Sequence, residues 1–152
     1  MVAVPLHLES PPLAADPASG VVVGAGRWRL HVVDAGLACC AVEFESALLR
    51  LASRPAAGDQ GDPPTDVLVV SGTVTHALAP LVLARYRAFP GPVLVVSFGA
   101  CANSGGPYWD SYCVTPGVDR LVPVDLYVPG CPPRPEALLD ALGELAAAGS
   151  PP

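Results

Sequence analysis

Three apolar runs punctuate the chain: Asp66-Val-Leu-Val-Val-Ser71, Val93-Leu-Val-Val-Ser-Phe98, and a third from Leu121 to Val128. Each is short and flanked by Gly or Pro, which predicts strands, the first two of them buried. Pro123 interrupts the third. Between and around them the spacing changes. Ala41 to Arg50 predicts a helix, with Val42, Leu48 and Leu49 as apolar positions and Glu43 and Glu45 near its start. Thr75 to Phe89 predicts another, and Pro80 requires that it start near residue 79 or kink. Glu136 to Ala148 predicts a closing helix with Leu138, Leu139, Leu142 and Leu145 on one face. Val21-Val-Val23 and Trp28 to Val33 predict a short strand or hairpin. Residues 1–20, rich in Pro, Ala and Ser, predict a flexible N-terminal arm. Residues 53–65 and 102–119 predict loops, the second long and functional.

Strand, helix, strand, loop, strand, helix is the order of an α/β domain built on a small, mostly parallel sheet. Residues 21–150 are expected to form that single domain. Its crossovers should be right-handed. Its site should lie at the carboxyl ends of the strands, where Cys101 and Cys131 would meet at one edge.

Composition adds a prediction about surface. Hydrophobic residues make up 51% of the 152 residues and charged ones 14%, so part of the apolar surface is expected to be covered by partners. The net charge is −6 and all eight basic residues are arginines without a cluster, which argues against nucleic acid as a partner. No basic segment precedes an apolar core near the start, so no signal peptide is expected. No apolar run approaches the roughly 18 residues that span a bilayer. The expected setting is cytosolic with reduced thiols, which leaves docking on a membrane-bound assembly open.

Cysteine placement carries the chemistry. Cys131 lies in Gly130-Cys-Pro-Pro133, where the third apolar run stops at a turn. Cys101 lies in Phe98-Gly-Ala-Cys-Ala-Asn-Ser-Gly-Gly106, directly after the second run, and Cys39 and Cys40 are adjacent in the turn before the first predicted helix. Structural zinc sites usually use closely spaced pairs. Here 60 residues separate Cys40 from Cys101, and 29 separate Cys101 from Cys131. Five cysteines leave one over, and a reduced setting disfavours disulfides. Packing as a small buried hydrophobe suits Cys113, which has no glycine-rich turn beside it. Four thiolates around a group wider than one ion suit an iron–sulfur cluster, with glycine-rich N–H groups available to its sulfides. Spacing alone leaves zinc open.

Four blocks then carry a resemblance: Gly36-Leu-Ala-Cys-Cys-Ala-Val-Glu43, Ser71-Gly-Thr-Val-Thr75, Gly99-Ala-Cys-Ala-Asn-Ser-Gly-Gly106, and Val122-Pro-Val-Asp-Leu-Tyr-Val-Pro-Gly-Cys-Pro-Pro-Arg-Pro-Glu-Ala-Leu138. In this order they resemble the NuoB-type, cluster-bearing subunits of bacterial NADH-quinone oxidoreductase, respiratory complex I. The resemblance implies a flavodoxin-like three-layer fold and one [4Fe–4S] cluster. It carries the ligand role to Cys39, Cys40, Cys101 and Cys131. It implies electron transfer to quinone at an interface with the D-type (or fused C/D) partner and the membrane subunit nearest the quinone cavity. It places the chain on the cytoplasmic side of the cell membrane, as a peripheral part of a proton-translocating enzyme. NADH would be bound by other subunits, which agrees with the lack of a Gly-x-Gly-x-x-Gly turn.

The chain departs from the family in its short acidic 53–65 stretch and in Phe44-Glu45, where Met-Met is common near the quinone cavity. Val118 stands where many members carry a further cysteine, and Cys113 where many carry serine. An alternative is the small subunit of a membrane-associated NiFe-hydrogenase-like complex, against which the adjacent cysteines argue. A non-catalytic structural paralogue is the third. Glu43 suits either proton coupling or a helix start, His76 a helix start, and Asp125 either strand-end bonding or function. Tyr108, Trp109 and Tyr112 suit either a partner face or loop packing.

Overall fold

The computed structural model describes residues 21–25, 28–34, 39–52 and 65–148. The predicted N-terminal arm and the 53–64 loop lie outside them. The elements are β1 (Val21–Ala25), β2 (Trp28–Asp34), α1 (Cys39–Ala52), β3 (Thr65–Ser71), α2 (Ala79–Arg87), β4 (Leu94–Phe98), α3 (Ala100–Ser104), β5 (Leu126–Val128) and α4 (Pro135–Ala148). One sheet runs β1-β2-β3-β4-β5. β1 and β2 form the expected hairpin, antiparallel with Val21 opposite Val32, and β2 to β5 are parallel.

The apolar runs form strands because helices cover both faces. On one face Val67, Val69, Leu94, Val96 and Phe98 pack against Cys40, Phe44 and Ala47 of α1 and Leu138, Ala141 and Leu142 of α4. On the other, Leu68, Val70 and Val95 pack against Val82 of α2 and against Val118 and Val122. The result is the three-layer α/β, flavodoxin-like architecture. Period-2 alternation within each run divides the two cores, so every residue from Val67 to Val70 is fully buried.

Several details differ from expectation, each for a physical reason. α1 starts at Cys39, so the tandem cysteines occupy its first turn rather than the turn before it. Its buried stripe is Cys40, Phe44 and Ala47, with Leu48 and Leu51 partly buried, while Val42 and Leu49 face outward. α2, by contrast, starts at Ala79, the first of the two expected alternatives, with Pro80 in its first turn where the missing N–H costs nothing. β5 holds only three residues, because Val118–Arg120 turns as a 3-10 helix and Pro123 follows. The 102–119 loop opens with α3, a five-residue helix closed by Gly105. Cys113 is exposed, contrary to the buried role expected of it.

The crossovers are not uniformly right-handed. β2, β3 and β4 follow one another across the sheet, yet α1 and α2 lie on opposite faces. Two such connections must have opposite hands. Packing of α1 against α4 holds α1 on its face, and Arg50 at the end of α1 pairs with Glu136 at the start of α4.

Candidate metal centre

The carboxyl ends of β4 and β5 are tied together by backbone bonds. Gly99 N–H donates to Val128 O at 2.9 Å, and Ala100 N–H donates to Gly130 O at 2.8 Å. Cys101 and Cys131 are each one residue beyond these bonds, so the strands bring two cysteine-bearing turns to one edge. α1 adds the other two. Cys40 lies under Gly99: a Cβ there would stand 2.6 Å from Cys40 Sγ, and the backbone has φ of +95°. Only glycine permits both the conformation and the contact. Gly106 plays the same part for Cys101, where a Cβ would stand 2.9 Å from the sulfur. Two sulfurs therefore occupy space that two missing side chains leave open. The Cys131–Pro132 peptide bond is cis.

Cys40 and Cys101 are buried, and Cys39 and Cys131 are exposed. Burial pushes the Cys40 thiol up to about 11, and the neighbouring thiols of Cys39, Cys101 and Cys131 add to the rise. All four predicted cysteines thus share one electrostatic neighbourhood. Among the described residues, no group of three or more Cys, His, Asp or Glu side chains is arranged to hold a metal ion.

The remaining candidate residues fall in place around this edge. Phe44 is buried and meets Phe98 edge-on, with ring centroids 5.8 Å apart, while Glu45 is exposed. Glu43 is half-buried in α1. Asp125 Oδ2 accepts from Val95 N–H at 2.7 Å, and Asp125 N–H donates to Val95 O at 2.9 Å, so its role is to extend the β4–β5 pairing beyond Leu126. Thr75 Oγ1 accepts from Leu78 N–H and caps the approach to α2; His76 is exposed and its N–H donates to Cys113 O. Tyr108, Trp109 and Tyr112 are 54%, 71% and 92% exposed, which removes the loop-packing role. Sequence reasoning missed Ser97 and Asn103, which are hydrogen-bonded to each other beside Cys101. The polar Ser97 inside an apolar strand was the available signal. No helix among the described residues is long and apolar enough to cross a membrane.

A three-layer α/β domain that presents cysteines at the carboxyl edge of its parallel strands defines the class: a flavodoxin-like domain with a cysteine-bearing edge. Residues 30–145 match the family model described as NADH ubiquinone oxidoreductase, 20 Kd subunit, and the chain belongs to that family. It is 51% identical over 139 residues to the second B-type subunit of NADH-quinone oxidoreductase from Streptomyces griseus, covering 88% of this chain and 58% of that protein. The chain thus spans little more than half the length of that relative. It is 49% identical over 141 residues to the first B-type subunit from Salinispora tropica, covering 89% and 74%. Against the first B-type subunit from Roseiflexus sp. the match is 51% identical and covers 70% of this chain and 41% of the relative. Among solved structures, a chain of an archaeal membrane-bound sulfane sulfur reductase superposes with a TM-score of 0.63 at 30% identity, covering 80% of this chain and 70% of that one. A chain of an NAD+-reducing [NiFe]-hydrogenase superposes with a TM-score of 0.53 at 22% identity, covering 81% and 92%, a likeness of fold alone.

Proposed function

We propose that this chain is the cluster-bearing electron-transfer subunit of a complex-I-like NADH-quinone oxidoreductase, with Cys39, Cys40, Cys101 and Cys131 as thiolate ligands of one [4Fe–4S] cluster. The observation that carries the reading is the shared neighbourhood of the four thiols at one sheet edge. Family membership and the names of its relatives support it.

When bound, the cluster supplies one-electron redox chemistry at a potential set by its surroundings. The chain's residues do the rest. Gly99 and Gly106 clear the space in which Cys40 and Cys101 lie. Phe44 and Phe98 exclude water from the core side of Cys40. Exposed Cys39 and Cys131 bring the redox centre to the protein surface, within reach of a partner. A cluster held there would supply electrons to quinone, in a cavity shared with a D-type partner and the adjoining membrane subunit. NADH is oxidised on other subunits, and this chain sits peripherally on the cytoplasmic side of the membrane. Glu45 places a carboxylate on the open side of α1 and makes that wall of the cavity more polar.

The test is to purify the chain anaerobically with its co-expressed neighbours, quantify iron, sulfide and zinc, and add a short-chain quinone to the reduced complex. About four irons and four sulfides per chain, with reoxidation by quinone, are expected. Iron without reoxidation would overturn the quinone step, and zinc without sulfide the cluster.

A further inference from the structure

We propose that Asn103 is a positioning residue for the four-cysteine site, its side-chain amide bridging the ends of β4 and β5 so that the Cys101 and Cys131 turns keep one separation. The proposal rests on the four-thiolate reading above. Asn103 lies in α3, two residues after Cys101. Its Nδ2 donates to Val128 O at 3.2 Å, and Ser97 Oγ donates to its Oδ1 at 2.6 Å. The orientation of the amide is dictated, because a backbone carbonyl can only accept and must therefore face the nitrogen. Oδ1 is then left for Ser97, which is fully buried in β4.

The amide thus joins three segments. Ser97 precedes the Cys101 turn on β4, Asn103 follows it on α3, and Val128 precedes the Cys131 turn on β5. Val128 O also accepts from Gly99 N–H, so this one carbonyl anchors the near side of the Cys101 turn and, through Asn103, its far side. The backbone of Asn103 is itself fixed. Its N–H donates to Gly99 O at 2.9 Å, and its carbonyl oxygen lies where a Cβ on Gly117 would approach to 2.7 Å. α3 therefore cannot slide along β5 without breaking the amide's bonds. An asparagine that merely satisfied the buried Ser97 hydroxyl would support folding and leave the metal centre unaffected. One that sets the spacing of two ligand-bearing turns alters the centre when it is changed.

The test uses the full chain in its co-expressed complex, purified anaerobically, with three variants. Asn103→Asp keeps the shape and the acceptor for Ser97 but loses the donor to Val128. Asn103→Leu loses both bonds, and Ser97→Ala loses one. The readouts are iron content, the EPR spectrum after dithionite reduction, and the rate of iron release to the ferrous chelator bathophenanthroline. Near wild-type iron content is expected in Asn103→Asp, with shifted g-values or broadened lines and iron release about five- to tenfold faster, the change that loss of one buried hydrogen bond produces. Wild-type spectra and release rates in iron-replete variants would overturn the proposal. If Asn103→Leu fails to assemble, Asn103→Asp and Ser97→Ala decide by the same two readouts. A wild-type complex without iron and sulfide would overturn the four-thiolate reading, and this proposal with it, before any variant is compared.

Discussion

Cys40 shows how one side chain answers to several neighbours at once. It is buried under Gly99, and both its burial and the adjacent thiols favour the protonated form. In the metal-free chain the folded state therefore holds the Cys40 proton up to about pH 11, while an unfolded thiol releases it near 9.0. Stability from this group is fully present below pH 9 and declines as pH rises from there towards 11, because over that window the unfolded state binds fewer protons. Thermal unfolding of the metal-free chain against pH should show that decline, and Cys40→Ala should flatten it. Thiolate availability and access also set alkylation order. Iodoacetamide mapping by mass spectrometry should find Cys39, Cys113 and Cys131 modified first and Cys40 last; early modification of Cys40 would contradict its placement. Gly99→Ala should prevent cluster assembly, since the new methyl meets Cys40 Sγ at 2.6 Å and the backbone is strained by roughly 1–3 kcal/mol. Gly143→Ala, facing open space on α4, is the control that should assemble normally.

The elements explain what sequence patterning could and could not show. β3 and β4 were legible because four consecutive apolar residues between loop signals can only be buried on both faces. The start of α2 was legible from Pro80. α1 was legible as a helix but not as a face. Val42, Leu48 and Leu49 were the visible apolar positions, whereas the core uses Cys40, Phe44 and Ala47, a stripe that includes a cysteine and an alanine. α3 escaped notice because a five-residue helix between glycines has no periodicity to read. The four ligand candidates were legible from their flanking glycines and prolines. The hydrogen bonds around Asn103 were not, because they join residues on three separate elements. Phe44→Ala tests the α1 assignment: removing a buried ring that packs on Phe98 should cost about 3–5 kcal/mol in thermal or denaturant unfolding. Asp125→Ala should cost about 1–3 kcal/mol by leaving Val95 N–H without its partner at the start of β4.

At the scale of the molecule, the low charge content finds its place on the surface. Val42 and Leu49, 69% and 74% exposed, line the open side of α1, which begins at Cys39. Tyr108, Trp109 and Tyr112 stand out from the segment that follows Cys101. Val42 and Leu49 lie on the helix that carries Cys39 and Cys40, and the three aromatics follow the helix that carries Cys101, so under the proposed function partners would cover both. Val42→Asp with Leu49→Asp should leave unfolding within about 0.5 kcal/mol of wild type, as exposed substitutions do, and should reduce co-purification of the neighbouring subunits. Unchanged co-purification would remove α1 from the interface. The central claim, one cluster on four named thiolates, is tested most directly by EPR of the anaerobically purified, dithionite-reduced complex. The account predicts the signal of one [4Fe–4S]⁺ cluster with about four irons per chain, diminished in Cys131→Ser. A silent spectrum from a well-folded complex, or zinc in place of iron, would contradict it.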